Sequence, residues 1–197
     1  MQIDSAESHP FAPGNLELPA NVITKDLLAE CVEECEDGYE IADFAHALRV
    51  RMSFKGIADL LNFESFVRLE FLCLSNNRIR MISSLPVLPS LTWLDVSFNS
   101  IESLQAVHRE SFPSLRSLCL YSNEMKSLAF FPPFEQLEIL SVGRNRLTEI
   151  DDISFLQQLP CLHALNISDN PMNCPDLTYR VSLYLPGLKY LNYERLP

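Results

Sequence analysis

At 197 residues the chain can bury one sizeable domain or one capped array, and a hydrophobic share of 47% rules out wholesale disorder. Its net charge of −11 is lopsided: residues 1–47 hold eleven acids against the single base Lys25, and the remainder is nearly neutral. An acidic flank on a neutral body offers no counter-charge to phosphate, which disfavours nucleic-acid binding, and no apolar run approaches the ~18 residues of a membrane helix.

Residues 1–21 carry Pro10, Pro13, Gly14 and Pro19 with little periodic apolar content, and read as a flexible acidic leader. They have neither the basic n-region nor the apolar h-region of a secretory signal. Residues 22–48 read as an N-terminal helical cap. Thr24 is an N-cap, and Leu27, Leu28, Val32 and Cys35 follow at helical spacing with glutamates on the other face. Gly38 interrupts, and Ile41, Phe44, Ala45 and Leu48 form the apolar side of a second short helix. Two such helices would cover the edge and the apolar face of whatever sheet begins next. The acids here are either a solvated flank or a contact to a basic partner.

Residues 49–172 are repetitive. Val50 to Phe54 alternates and leads to Ile57 and Leu60, a degenerate opening copy. Five regular copies follow: LEFLCLSNNRI from Leu69, LTWLDVSFNSI from Leu91, LRSLCLYSNEM from Leu115, LEILSVGRNRL from Leu137 and LHALNISDNPM from Leu162. Each reads L-x-x-L-x-L-x-x-N-x-φ, and their asparagines stand 22, 24, 22 and 25 residues apart. That pattern at that period is the mark of a leucine-rich repeat. The expected fold is an α/β solenoid: a curved parallel sheet of about seven short strands with short helical or 3-10 segments on its convex side. Pro89, Pro113, Pro160 and Pro186, each two residues ahead of a repeat leucine, stiffen the turn into the strand. Residues 173–197 read as a C-terminal cap, with Pro175 in the first turn of a helix and LKYLNY, from Leu188 to Tyr193, as a last strand.

The repeat leucines point inward as core. Asn77, Asn99, Asn123, Asn145 and Asn170 satisfy backbone groups where the chain bends inward, a structural role. The residues between the leucines face outward, and there identity is free to serve binding. Phe71 and Trp93 fall on adjacent strands, with Phe98 and Tyr121 near the same end of the array. Outward aromatics on an open sheet mark a docking patch, and Trp93, the only tryptophan, is its natural anchor. Asp95, Arg144, His163 and Tyr190 complete the candidate protein-binding face, with Arg116 and Arg146 adding positive charge toward the far end. Nothing points to catalysis, a cofactor or a metal. The five glycines are scattered, and His9, His46, His108 and His163 have no recurrent Ser or Cys partner. Cys31 and Cys35 form at most a zinc half-site on a helix, without a second ligand pair. Cys73 and Cys119 lie two strands apart, ~10 Å, beyond disulfide reach. Free thiols in such number suit a reducing, cytoplasmic compartment.

Three stretches carry a family resemblance: ALRVRMSFKGIA from Ala47 to Ala58, LTWLDVSFNSIESL from Leu91 to Leu104, and YRVSLYLPGLKYLNYERL from Tyr179 to Leu196. With its short repeat and tyrosine-rich close, the chain resembles the small intracellular leucine-rich proteins. That class is typified by the phosphatase-1 regulatory leucine-rich protein and the leucine-rich axonemal dynein light chain. Within it, residues 22–196 resemble the leucine-rich subunit (subunit 3) of the nexin–dynein regulatory complex. The resemblance implies a monomeric, non-enzymatic module in a hetero-complex of the ciliary or flagellar axoneme. Its partners would be other subunits of that complex and dynein- or tubulin-associated chains. A phosphatase regulator and a ribonucleoprotein adaptor are the competing expectations. One departure stands out: the family continues into a long coiled coil, whereas this sequence shows no heptads before Pro197. It is therefore a fragment, a short form or a distinct member.

Overall fold

A computed structural model describes residues 23–197, whose strands join into one nine-stranded sheet in unbroken chain order. After a helix α1 (Lys25–Cys31) come β1 (Val32–Cys35), β2 (Ala47–Arg51), β3 (Phe71–Cys73), β4 (Trp93–Asp95), β5 (Ser117–Cys119), β6 (Ile139–Ser141) and β7 (Ala164–Asn166). A helix α2 (Leu177–Tyr184) precedes β8 (Tyr190–Leu191) and β9 (Glu194–Arg195). The strands β2 to β8 are all parallel. The opening copy supplies β2, the five regular copies β3 to β7, and the closing segment β8. This is the long parallel sheet of short strands that the repeat spacing calls for, with 3-10 segments at Arg109–Ser111 and Ile150–Gln158 on the return paths.

The sheet is held by three lanes that recur once per copy. Leu72, Leu94, Leu118 and Leu140 are fully enclosed behind the strands. A second lane lies three residues ahead of each first leucine and is filled by Phe66, Leu88, Phe112, Phe134, Leu159 and Leu185, all buried. The carbonyl of each accepts from the following repeat leucine's N–H, as in Leu88 to Leu91 at 3.2 Å, which closes a turn whose second position is proline at Pro89, Pro113, Pro160 and Pro186. The third lane is the asparagine ladder. Asn123 Nδ2 donates to the carbonyls of Val96 and Leu120, each at 3.0 Å, and its Oδ1 accepts from Ile101 N–H at 2.9 Å. Asn77, Asn99, Asn145 and Asn170 repeat the arrangement. The residue before each asparagine, namely Asn76, Phe98, Ser122, Arg144 and Asp169, is left-handed, with φ between 51° and 57°.

The ends differ from the sequence reading. Thr24 does cap α1, its Oγ1 accepting from Leu27 N–H at 3.1 Å. The helix stops at Cys31, however, and Val32–Cys35 is a strand paired antiparallel to β2. The second cap helix is only a 3-10 turn, Phe44–His46, and Ile41 is 53% exposed. The reason lies in the sheet. The first parallel strand presents an open row of N–H and C=O groups, which a second helix could not bond and a strand can. Ten residues from Leu27 to Glu36 therefore divide between covering the core and closing the edge. The far edge is closed in the same way by β9, after a two-residue turn in which Asn192 and Tyr193 both have positive φ, 49° and 69°. The last parallel strand thus ends at Leu191, not Tyr193. Pro175 stands just ahead of the α2 N-cap Asp176 and outside its first turn. The leader expected over residues 1–21 lies outside the described residues.

Candidate protein-binding face

Because strand side chains alternate, each three-residue strand sends its middle leucine into the core and its two flanking residues onto the open face. Register then lines up two rows. One runs Arg49, Phe71, Trp93, Ser117, Ile139, Ala164, Tyr190; the other runs Arg51, Cys73, Asp95, Cys119, Ser141, Asn166.

The first row begins with a stack. The Phe71 and Trp93 rings lie 4.0 Å apart and 4° from parallel, and the guanidinium of Arg49 sits 4.0 Å over the other face of Phe71. Adjacent strands, ~4.8 Å apart, deliver flat groups at nearly stacking distance, so the sheet itself builds the pile. Arg49 and Arg51 in turn reach Glu34 at 3.6 Å and Glu33 at 2.7 Å on β1. The acidic cap is therefore partly spent on the array's own arginines, and is neither a purely solvated flank nor wholly available to a basic partner.

Phe98 and Tyr121 form a separate pair. Their rings meet edge-on at 5.7 Å beyond the strand ends, and the Tyr121 hydroxyl donates to Asp169 at 3.2 Å. The four aromatics do not make one patch: the Cys73–Asp95–Cys119 row and Ser97 separate the two pairs. Phe98 reaches the rim because its left-handed backbone turns it outward.

At the other end, Ile139, Ser141, Ala164, Asn166, Tyr190 and Tyr193 line a hollow of about 290 Å³. Its floor is the small Ala164, and its wall is Tyr193, 81% exposed, whose hydroxyl accepts from Asn166 Nδ2 at 2.9 Å. The sequence reading names Tyr190 here but leaves Asn192 and Tyr193 in the strand. Asn192 instead turns its Oδ1 to Ile167 N–H at 2.8 Å.

The basic residues are less free than expected. Arg116 is paired with Glu138, and Arg146 with Glu124 at 3.1 Å. Arg144 is exposed and has no ion pair among the described residues. His163 is half-buried at the start of β7, with its Nδ1 3.4 Å from the Cys161 carbonyl. Neither it nor His46, which is engaged with Glu36 at 2.7 Å, hydrogen-bonds a Ser, Thr or Cys side chain among the described residues. Among the described residues no three His, Cys, Asp or Glu side chains converge as a metal site, and Cys31 and Cys35 fall on different elements. No helix among them is long and apolar enough to cross a membrane. Burial above all, with a smaller contribution from Asp95, pushes the Cys119 thiol up to about 11.

The chain matches no protein-family model and no curated protein. It does match solved structures. An internalin from Listeria monocytogenes aligns at 25% identity with a TM-score of 0.57, over 71% of this chain and 39% of that one. A leucine-rich-repeat protein of Leptospira interrogans aligns at 22% identity and 0.61, over 77% and 39%. A chain of the Drosophila melanogaster SNF/U2A′ complex aligns at 17% identity and 0.54, over 89% and 85%. The chain thus spans about two fifths of the first and second of these relatives. Parallel sheet, asparagine ladder and structural neighbours agree on a leucine-rich-repeat fold, an architecture that serves generally as a protein-interaction module.

Proposed function

We propose that the protein is a non-enzymatic interaction subunit whose open sheet face holds a partner polypeptide, and that its complex is the axonemal nexin–dynein regulatory complex of cilia and flagella. The observation that carries the docking surface is the Arg49–Phe71–Trp93 stack: large flat groups, ordered in advance and left facing solvent, lose little entropy when a partner covers them. The axonemal assignment rests on the resemblance of residues 47–58, 91–104 and 179–196 to that complex's leucine-rich subunit.

Affinity purification from ciliated cells tests both parts. Wild-type protein should recover tubulin-associated complex subunits. Trp93→Ala should weaken that capture by ~2 kcal/mol, about thirtyfold, with an unchanged circular dichroism spectrum. Recovery of a phosphatase catalytic chain instead would make the protein a phosphatase regulator. A second reading, a ribonucleoprotein adaptor, draws on the match to a chain of the SNF/U2A′ complex over 85% of its length. It predicts capture of a basic protein with an RNA-binding domain, with no direct RNA contact from this acidic chain.

A further inference from the structure

Building on the reading of the open face as the docking surface, we propose that its central slot takes an arginine side chain of the partner. The guanidinium would stack on the free face of Trp93, above Ser117, with Asp95 as its counter-ion.

The stack on the first row is unfinished. Arg49 covers Phe71 and Phe71 covers one face of Trp93, but among the described residues no ring or guanidinium covers the other face of the indole. One strand further on, Trp93 is in register with Ser117, whose side chain is too short to reach over the ring, and Ser117 is in register with Ile139, 46% exposed. Trp93 and Ile139 are thus two strand steps of about 4.8 Å apart across a low floor. That gap accepts one flat group against the indole, with aliphatic chain against Ile139.

Charge selects which flat group. The outward residues of β4, β5 and β6 are Trp93, Asp95, Ser117, Cys119, Ile139 and Ser141, and Asp95 alone is charged. Its Oδ1 accepts from Ser97 N–H at 2.8 Å, and its Oδ2 lies 3.7 Å from Cys73 Sγ. No Lys, Arg or His lies within ion-pair distance of it among the described residues. The nearest arginines, Arg49 and Arg51 in the two rows and Arg116 just ahead of Ser117, are committed elsewhere: Arg51 to Glu33, Arg49 to Glu34 and Arg116 to Glu138. A carboxylate beside a bare indole face matches a guanidinium, which stacks flat and offers a fork of donors at its edge; an ammonium cannot do both. An acidic group would be repelled by Asp95, and an apolar one would strip it of water without replacing the lost bonds. The chain's own Arg49 on Phe71 is the same contact made internally one strand earlier.

Trp93 is the only tryptophan, so its emission reports the slot without background. The full chain is titrated with the blocked tripeptide Gly-Arg-Gly, with its citrulline analogue, which has the same shape and no charge, and with Gly-Glu-Gly. A saturable change is expected with arginine, with apparent affinity about fivefold or more above citrulline, and none with glutamate. Asp95→Asn should bring arginine down to the citrulline level, and Ser117→Leu should fill the slot and abolish the response, both with unchanged melting. Equal responses to arginine and citrulline, or an Asp95→Asn variant that binds like wild type, would overturn the proposal. The two readings separate in the capture experiment. If Trp93→Ala loses the partner while Asp95→Asn keeps it, the docking surface stands and the arginine slot falls. If Trp93→Ala keeps the partner, the docking reading itself falls.

Discussion

His46 Nδ1 lies 2.7 Å from one carboxylate oxygen of Glu36, and the other oxygen receives the Arg68 guanidinium. Glu36 follows β1 and His46 precedes β2, so the pair fastens the hairpin that closes the sheet's first edge. A backbone bond from Glu36 N–H to the His46 carbonyl, 2.9 Å, and the Tyr39 ring stacked 3.5 Å over the imidazole complete the clasp. The hydrogen bond to His46, and then that to Arg68, hold the Glu36 carboxyl below its ordinary value. The folded state therefore releases this proton more readily than the unfolded chain. The stabilisation is present above the unfolded value of 4.5 and drains away as pH falls through the depressed folded value. Wild type should melt above Glu36→Gln at neutral pH, and the two should converge as the solution is acidified below 4.5. A gap that does not change with pH would exclude the clasp as an acid-labile fastener.

The ladder predicts an unequal penalty within a single side chain. Removing Asn123 leaves the Val96 carbonyl still bonded by Asn99 and the Leu120 carbonyl still bonded by Asn145. Ile101 N–H has no such second partner. Asn123→Ala should therefore cost about 3 kcal/mol, most of it from the orphaned buried donor. Urea unfolding measures it. Asn170→Ala, at a half-buried rather than a buried position, should cost less because the space it vacates lies nearer solvent.

What the sequence made legible is what repeats. The period alone separates inward Leu94 from outward Trp93, and one repeat of offset places Phe71 beside Trp93. Arg49 escaped because the opening copy is degenerate: its place over Phe71 emerges only when Val50 is matched to Leu72. The edge strands escaped for a different reason. Val32–Cys35 and Glu194–Arg195 are strands because the sheet's edges need hydrogen-bond partners, a demand from tertiary structure that leaves no periodic trace. The reach of Tyr193 over Asn166 depends on two left-handed residues, Asn192 and Tyr193, and no glycine signals them. Phe98 is left-handed because it precedes a ladder asparagine, as Asn76, Ser122, Arg144 and Asp169 do, and this turns it to the rim, apart from Trp93.

The six cysteines should separate cleanly by reactivity. Cys161 is exposed, whereas Cys73 is buried and Cys119 is mostly covered, with its thiol pushed up to about 11 by burial. At pH 8 only roughly one in a thousand Cys119 side chains is thiolate, and the thiolate is the nucleophile. Iodoacetamide at pH 8, read by peptide mass spectrometry, should label Cys161 first and Cys119 and Cys73 only on unfolding. Early labelling of Cys119 would mean that the Asp95 row is more open than the geometry shows.

Gly143 tests how tightly the rim is built. A Cβ there would stand 2.9 Å from Asn166 Nδ2, 3.0 Å from Tyr121 Cδ2 and 3.1 Å from the Ser168 carbonyl oxygen. The tyrosine could swing aside, but the Ser168 carbonyl cannot: it accepts from Arg144 N–H at 2.7 Å in the strand-to-strand bonding. Asn166 is likewise fixed by Ser141 Oγ at 3.0 Å and by the Tyr193 hydroxyl. Gly143→Ala should therefore destabilise the protein by about 1–3 kcal/mol, as overpacking does, and displace Tyr121 from both Phe98 and Asp169. The two effects can be told apart with Tyr121→Ala, which empties the crowded space. Because the Ser168 carbonyl and the Asn166 amide stay in place, Gly143→Ala on that background should keep most of its penalty, while a clearly smaller cost would place the clash on the Tyr121 ring instead.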